Sequence, residues 1–539
     1  MLFFSTLLLA AAPVLQDGNL ITQGRALLEA GKPAEAEALF TQADEASGGK
    51  ITTRIWVLRA WMEQGRINDS LNAIDELEQA ERESPGGDYI YGMASYLRGK
   101  GHLASGVDSG TIGFAFEDAK NFLKSATAAD PELYGDAWLP LGEASWYAQD
   151  LETAASACAK AIERRPRNGN AFYVLGRVQF SQFSAMNADE SKKDQAKALL
   201  DETIRTFQKG VRALGKPEQP VLRTLAAKCH NQLGNAYLWK ENKDEAALSF
   251  ADAMGWDPSI VDFGGLWSRF YDGNSAMGAV QILDSGSKKF VANWGEETSA
   301  DALLLWWLGY ANFTEREDEA AEAAYLKTVK KWPAYMDAWY YIATSRYRRQ
   351  DYFGALDAFK KNWEAGPENL VANINTNAQL NLNNIGFIIG KCAEAGRNAD
   401  AAFLCEVRVG ANPEYFLYWN DLGLFCRDTG DGLSRRGKKE DKEEISRLYE
   451  RALEAYVRAR EIAPQYPHLL NDGAVILDYC LDRELDRALE MYDAALKQAT
   501  ELLDAGLEGY DLDVATIAKR DAANNARALR RRMKEKEEE

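Results

Sequence analysis

The chain has 539 residues and a formal net charge of −19, from 63 Lys and Arg against 82 Asp and Glu. With 46% hydrophobic and 11% aromatic residues it has enough apolar area for a folded core, which excludes intrinsic disorder over most of its length. Because so acidic a chain repels a phosphate backbone, we expect no nucleic-acid partner, and we expect neutral or basic partners to approach more readily than anionic ones.

Residues 1–16, MLFFSTLLLAAAPVLQ, contain no charged side chain. The apolar run from Leu2 to Ala12 is too short to span a bilayer, which needs about 20 apolar residues, but it is typical of a secretory signal peptide. No Lys or Arg precedes the run and Pro13 stands at the cleavage point, so a buried first helix is the alternative. We expect export to the periplasm or the exterior if the signal is real, and a cytoplasmic protein otherwise. No other stretch approaches 18 apolar residues, so we expect no stable membrane insertion.

A repeating pattern of residue types follows. From Trp138, fixed offsets of 3, 4, 16, 20, 23 and 28 lead to Leu141, Gly142, Ala154, Cys158, Ala161 and Pro166. Most of these positions recur from His230, Leu305 and Trp339. Spacings of three and four residues predict two helices per unit. Glycine and alanine on the facing sides of these helices let the two backbones approach closely. The closing proline ends the second helix.

On these residues the chain resembles the tetratricopeptide repeat (TPR) family, whose 34-residue helix-turn-helix unit has this spacing. The resemblance implies an all-α, right-handed superhelical solenoid of about twelve units over residues 17–505, with a capping helix and charged tail over 506–539. We expect the capping helix to begin after Asp513, with Val514, Ile517 and Leu529 on its apolar face, and the residues from Arg530 onward to be disordered.

Three stretches rich in glycine or charge interrupt the repeat spacing, Arg98–Phe116, Ser184–Leu200 and Arg427–Glu444. Each falls between the first and second helix of a unit. We therefore expect loops projecting from one edge of the array, either as surface insertions or as partner contacts.

The sequence contains no recognisable catalytic or cofactor motif. The three histidines are widely separated, and no Cys-x-x-Cys, phosphate-binding loop or dinucleotide fingerprint is present. We therefore expect no enzymatic activity, no cofactor and no metal. The six cysteines are expected to pack as small apolar residues, although Cys392 and Cys405 could form a disulfide in an oxidising compartment.

In the TPR family the first helix of each unit lines the concave groove, through residues at offsets −2, +1, +5, +8 and +9 from the anchor. Transferred to this chain, the resemblance gives candidate binding residues that are unusually rich in aromatic rings: Trp146, Tyr173, Arg177, Phe180, Asn231, Asn235, Trp239, Trp306, Tyr310, Phe313, Tyr340, Tyr347 and Arg348. Aromatic area with a few polar anchors suits a peptide groove. The alternative is that many of these rings pack between neighbouring repeats.

These observations favour a non-enzymatic scaffold or adaptor that binds an extended peptide or a partner helix in the aromatic groove. Two alternatives belong to other classes of protein. One is an envelope protein that binds glycans by stacking sugar rings on Trp146, Trp239 and Trp306, and the other is an enzyme whose site is unrecognised. The sequence leaves the identity of the partner and the oligomeric state open.

Overall fold

The computed structural model describes residues 19–296, 298–335, 337–377, 379–506 and 509–538. Over these ranges the chain consists of helices joined by turns and short connecting segments, without any strand. The predicted all-α fold is therefore confirmed. The segment predicted to be a signal peptide lies outside the described residues.

The α-helices follow one another along the chain. In order they are α1 (19–29), α2 (Pro33–Ser47), α3 (Ile51–Glu63), α4 (Ile67–Asp75), α5 (Gln79–Arg82), α6 (Pro85–Ser105), α7 (Ser109–Ala129), α8 (Trp138–Tyr147), α9 (Leu151–Arg164), α10 (Gly169–Asn187), α11 (Lys193–Leu214), α12 (Pro220–Trp239), α13 (Lys243–Trp256), α14 (Phe263–Phe270), α15 (Met277–Trp294), α16 (Ala302–Thr314), α17 (Asp318–Lys331), α18 (Ala338–Arg348), α19 (Tyr352–Ala365), α20 (Pro367–Thr376), α21 (Leu382–Glu394), α22 (Asn398–Ala411), α23 (Phe416–Arg436), α24 (Lys442–Ile462), α25 (Pro467–Val475), α26 (Leu485–Asp504) and α27 (Gly509–Glu538). A π-helical segment, Ile476–Cys480, directly follows α25.

Consecutive helices form eleven packed pairs in the described parts of the chain. The pairs are α1–α2, α3–α4, α6–α7, α8–α9, α10–α11, α12–α13, α16–α17, α18–α19, α21–α22, α23–α24 and α25–α26. This number is close to the roughly twelve units expected from the sequence, and the arrangement is that of a TPR-like repeat protein.

The chain forms two compact units. Unit 1 holds the described residues up to Asp262 together with 282–296, and unit 2 holds 263–281 together with the described residues from Thr298 onward. Within unit 1, the first helices α8, α10 and α12 of neighbouring pairs also contact one another. Because one helix pair cannot bury its own apolar surface, the contact between neighbouring pairs completes the core.

Within several pairs, a glycine of the first helix packs directly against a large side chain of the second. A Cβ atom added at Gly309 would lie 2.8 Å from the ring of Tyr325, and one added at Gly234 would lie 2.7 Å from the ring of Phe250. In each pair the two residues are 16 positions apart, as the repeat pattern requires. The predicted role of the glycine, to let two helices approach closely, is confirmed.

The turns between paired helices repeat one backbone conformation. A residue with a left-handed φ of about 60° occupies the same position in four turns, at Gln149, Glu241, Arg316 and Gln350. In the first of these turns the Asp150 N–H donates to the Ser145 carbonyl at 2.9 Å, which closes the end of α8. The Asp150 carboxylate also accepts from the Thr153 N–H at 3.1 Å. The same residue therefore ends one helix and caps the next.

The three stretches predicted to be loops are mainly helical, so that prediction is wrong. The helices α6, α7, α10, α11, α23 and α24 continue into them and reach 19 to 22 residues, whereas α8 and α9 have 10 and 14. Glycines within these stretches have a packing role. Gly99 lies against the ring of Phe116, and Gly430 lies against the ring of Tyr449. The inserted residues therefore lengthen a helix pair and leave only a short turn at its tip.

Helix α27 begins at Gly509, earlier than predicted, and its buried face differs from the prediction. Leu529 is buried as expected, but Ile517 is 50% exposed. The rest of the buried face consists of small residues, Ala515, Ala518, Ala522 and Ala526. Small side chains let α27 lie close to the last helix pair, which it contacts through both α25 and α26.

The residues from Arg530 onward, predicted to be disordered, continue α27 as far as Glu538. Arg530 forms an ion pair with Asp493 of α26, and Arg532 forms one with the buried Asp478 of the π-helical segment. Ion pairs to two other elements hold this end of the helix in place, which explains why its charged composition does not produce a disordered tail.

Replacing Gly309 by alanine is expected to destabilise unit 2 by about 1–3 kcal/mol, because the new methyl group would overlap the buried ring of Tyr325. Urea denaturation followed by circular dichroism measures the effect. Gly390→Ala in α21 is the matched control, since a Cβ atom there meets no other atom within 4 Å. It should raise stability by about 0.5–1 kcal/mol through helix propensity. Equal effects of the two substitutions would contradict the packing role of Gly309.

Candidate functional site

Three of the predicted binding residues on α8 and α10 form one stack in unit 1. The guanidinium of Arg177 lies over the ring of Trp146, 3.8 Å from its centroid, and 5.6 Å from the ring centroid of Tyr173. The Trp146 indole N–H donates to the Ser181 hydroxyl at 3.2 Å. The structure therefore brings these three predicted residues together, although it uses one face of the Trp146 ring for the arginine.

The remaining predicted residues of unit 1 lie on α10 and α12. Phe180 and Trp239 each contact the buried ring of Phe183, with centroids 5.6 Å apart in both contacts. Trp239 keeps 56% of its surface exposed. Asn231 and Asn235 are one helical turn apart on α12 and both are partly exposed.

In unit 2, the predicted residues Tyr310, Phe313 and Arg348 converge on one pocket of 260 Å³. We call it the α16–α18 pocket. Its lining combines aromatic rings, amides and arginines, from Tyr310, Phe313, Thr314, Arg316, Tyr341, Arg348, Asn377 and Gln379. Asn377 and Gln379 come from the segment between α20 and α21, which the groove pattern does not cover. The prediction therefore identified part of this pocket and missed one wall.

Arg348 is held in one orientation by several contacts. Its guanidinium pairs with the Asp318 carboxylate at 3.1 Å, and both side chains are only 13% exposed. It also donates to the Phe313 carbonyl at 3.2 Å and to Gln379 Oε1 at 2.8 Å, and it lies 3.7 Å from the ring centroid of Phe313. The wall of the pocket that Arg348 forms is therefore rigid and carries little net charge.

Trp306 belongs to an aromatic cluster next to this pocket. Its ring is parallel to that of Tyr310, with centroids 5.5 Å apart, and meets the ring of Trp307 edge-on at 5.2 Å. Its indole nitrogen is buried without a hydrogen-bond partner among the described residues. Tyr347 lies further along α18, where its hydroxyl accepts from Asn384 Nδ2 at 3.0 Å. For these residues packing between neighbouring helices accounts for much of the ring surface.

Tyr340 is inside the core, so the expectation that it faces an open groove is wrong, and Phe313 reaches the α16–α18 pocket with little of its surface. Tyr340 is fully buried, and its hydroxyl donates to the Leu380 carbonyl at 3.0 Å and accepts from the Leu380 N–H at 3.2 Å. Burial raises the pKa of Tyr340 to about 12. Phe313 is only 4% exposed because Arg348 and Tyr341 cover it. The segment that carries Leu380 folds over Tyr340, and the repeat pattern gives no sign of it.

A second pocket, in unit 1, was not predicted. It encloses 320 Å³ between α1, α3, α6, α9 and the start of α8. We call it the arginine pocket, because Arg25, Arg59, Arg164 and Arg165 all line it. The rest of its lining is Leu28, Glu29, Trp56, Glu63, Met93, Tyr96, Leu97, Gly135, Asp136, Leu139, Pro140, Ala161 and Asn168. Asp136 occupies the −2 offset from Trp138, so the groove pattern includes one residue of this pocket. The repeat spacing does not predict that the four arginines lie together.

Several buried polar atoms of the arginine pocket have no hydrogen-bond partner in the described structure. They are Nε and Nη1 of Arg59, Nε1 of Trp56 and Oδ1 of Asp136. The other carboxylate oxygen of Asp136 accepts from the Tyr89 hydroxyl at 2.7 Å. Burial raises the pKa of Tyr89 well above its usual value, so this hydroxyl keeps its proton and remains a donor.

Other kinds of site receive no support from the described residues. Nowhere in them do three or more His, Cys, Asp or Glu side chains form a group that could hold a metal ion, and none of their helices is both long and apolar enough to cross a membrane. All six cysteines are free thiols, so the suggested bond between Cys392 and Cys405 is not formed. Burial raises the pKa of Cys392 to about 11, which keeps that thiol protonated and unreactive at neutral pH.

No protein-family model matches the chain, and no curated protein matches it in sequence. Among solved structures it is similar to YrrB, described as a TPR protein with an unusual peptide-binding site, at 17% identity over 43% of this chain and 97% of that chain, with a TM-score of 0.23. It is also similar to the C-terminal part of a TPR repeat-containing protein from Cytophaga hutchinsonii, at 12% identity over 52% and 98% of the two chains, with a TM-score of 0.29. Yeast Tom70 matches at 12% identity over 82% and 96%, with a TM-score of 0.21. At such low scores the fold assignment depends on the helix pairs themselves.

Replacing Arg348 by alanine is expected to destabilise unit 2 by about 3 kcal/mol, because it leaves the Asp318 carboxylate mostly buried and unpaired. Removing both side chains should cost clearly less than the sum of the two single substitutions, since no unpaired charge remains. Urea denaturation of the two single variants and the double variant measures this coupling. As a control, Lys361→Ala removes an exposed ion pair with Glu364 and should change stability by at most about 1 kcal/mol. Additive losses at Arg348 and Asp318 would show that the pair is unimportant.

Proposed function

We propose that this protein is a non-enzymatic scaffold or adaptor that binds a protein partner through an extended peptide or a helix of that partner. The peptide lies across the first helices of the pairs, and in unit 2 one of its side chains enters the α16–α18 pocket. The observation that carries this proposal is the convergence of Tyr310 and Arg348 with Asn377 and Gln379 around that pocket.

The chemistry of the pocket suits a peptide. Amide side chains such as those of Asn377 and Gln379 offer both donors and acceptors, which is what the backbone of an extended peptide requires. The rings of Tyr310 and Tyr341 supply apolar contact area together with hydroxyl groups. Because Arg348 is already fixed by Asp318 and Gln379, little conformational entropy is lost on binding.

The contacts of the tryptophans favour a peptide over a glycan. Sugar stacking needs an open ring face, but Arg177 covers one face of Trp146, and Trp306 is stacked on Tyr310. Trp239 is the most exposed of the three tryptophans considered for a glycan. One exposed ring gives less stacking area than the row of three rings that the glycan hypothesis requires. We therefore keep the glycan as the competing outcome of a binding test.

The pocket is tested with a peptide selected on the wild-type protein from a random display library, whose affinity is measured by fluorescence anisotropy. The double substitution Arg316→Glu and Gln379→Ala changes two exposed residues of the α16–α18 pocket. We expect it to weaken binding by at least about tenfold, since it alters the charge and hydrogen bonding of the lining.

The matched control is Lys327→Glu, a charge reversal at an exposed position of the second helix α17, outside the pocket. It should leave the affinity unchanged. Unchanged binding by the pocket variant would refute the proposed site. If no peptide is selected and the protein is instead retained on envelope polysaccharide, with release by soluble oligosaccharide, the glycan alternative replaces the peptide.

We also propose that the protein is exported, with residues 1–16 as the signal, because they form an uncharged apolar run. When the full sequence is expressed, cell fractionation should place it outside the cytoplasm, and amino-terminal sequencing should find the apolar run removed. Recovery of the uncleaved chain from the cytoplasmic fraction would contradict this.

A further inference from the structure

The arginine pocket differs in charge from the rest of the molecule. Four arginines and three acidic residues line it, in a chain whose formal net charge is −19. The Arg165–Glu29 ion pair joins the residue after α9 to α1, although the two are 136 positions apart in sequence. Arg164 also pairs with Glu132, and Arg59 pairs with Glu63. Residues from four successive helix pairs therefore bring both signs of charge to one pocket, which suits a ligand that carries both.

One of the four arginines, Arg59, has guanidinium nitrogens without a hydrogen-bond partner in the described structure. The guanidinium of Arg25 lies over the ring of Trp56, 4.6 Å from the centroid. Arg59 forms an ion pair with Glu63 through Nη2, but its Nε and Nη1 have no partner in the described structure and its side chain is only 12% exposed. Trp56 is 1% exposed and its indole nitrogen is likewise unpartnered. Donors left unpaired in a buried position are costly, so this wall of the pocket favours an acceptor group.

The same pocket also has an unpaired acceptor. Asp136 uses Oδ2 for the Tyr89 hydroxyl, and its buried Oδ1 accepts no hydrogen bond from the described residues, although the charge of Arg59 acts on the same carboxylate. A simple anion would satisfy the arginines and be repelled by this carboxylate. A ligand that carries a carboxylate together with a cationic N–H group satisfies both the arginine donors and the Asp136 acceptor.

The size and the remaining lining define the rest of the ligand. The pocket encloses 320 Å³, which is at the small end of the range for ligand-binding cavities. Leu28, Met93, Leu97 and Leu139 provide apolar surface beside the charged groups. A small ligand with one apolar side chain therefore fits better than a large or fully polar one.

We propose that the arginine pocket binds a free α-amino acid with an apolar side chain. Arg25 and Arg59 hold the carboxylate, Asp136 accepts from the ammonium group, and the leucine and methionine side chains contact the apolar side chain of the ligand. This site is independent of the peptide site proposed in unit 2, and the loss of one leaves the other intact.

Isothermal titration calorimetry of the full chain tests the site, with L-leucine and L-phenylalanine as probes. Two analogues of leucine test the contribution of each charged group, since leucinamide lacks the carboxylate and 4-methylpentanoate lacks the amine. Leucine or phenylalanine should bind, and both relatives should bind at least about tenfold more weakly, because each lacks one charge-assisted contact. N-acetyl-leucine should also bind weakly. If it binds as tightly as leucine, the ammonium contact is absent and the proposal fails.

The substitution Asp136→Asn tests the contact between the Asp136 carboxylate and the ammonium group of the ligand. An asparagine oxygen can still accept from the Tyr89 hydroxyl, so the fold should persist while the negative charge is lost. Leucine binding should fall by at least about tenfold, whereas binding of 4-methylpentanoate should stay the same or improve. Arg25→Gln should instead weaken the binding of leucine and of 4-methylpentanoate to a similar degree.

The matched control is Asp75→Asn in the same unit, where another carboxylate accepts from a tyrosine hydroxyl, that of Tyr91, outside the arginine pocket. It should leave leucine binding unchanged. Circular dichroism establishes that each variant is folded before titration. If neither leucine nor phenylalanine binds to the folded wild-type protein, water alone fills the pocket and the proposal is overturned.

Discussion

The contact between a glycine of one helix and a large side chain of its partner is the constraint on which this structure depends. Where Gly309 meets Tyr325, or Gly234 meets Phe250, no atom can be added on the glycine side. The separation of the two helix axes is then fixed by the backbone on one side and a ring on the other. Because this contact recurs from pair to pair, the first helices are held in regular positions, and the side chains on them meet their neighbours at predictable places.

Regular placement explains how much of the molecule could be predicted from its sequence. Helices, pairs and the close glycine contacts follow from spacings of three, four and sixteen residues, which are local in the chain. The depth of each side chain does not follow from those spacings. Tyr340 and Tyr310 both lie on first helices of unit 2, yet the segment carrying Leu380 buries the former and leaves the latter at a pocket. A spacing rule identifies a face of a helix, whereas burial depends on the segments that fold over it.

The arginine pocket also could not be predicted from local spacing, because its residues are far apart in the sequence. Arg25 and Arg165 are 140 positions apart, and their meeting depends on how four helix pairs pack together. No periodic signal in the sequence marks either residue. The charged end of α27 is a similar case. Its composition predicts disorder, but ion pairs of Arg530 and Arg532 with Asp493 and Asp478 hold it as a helix.

The turn in which one residue both closes a helix and caps the next has a consequence for how such a protein can change in length. Asp150 serves α8 and α9 at once, so the compact turn has no spare residue into which an insertion could be placed. Growth must instead extend both helices together, and each helix must gain whole turns if its glycine is to keep facing its partner. The long pairs fit this rule. Gly176 of α10 still meets Phe207 of α11, but the two are 31 positions apart instead of 16, which corresponds to roughly two additional turns on each helix. Hairpins of this kind therefore have discrete allowed lengths, which differ from one another by whole helical turns.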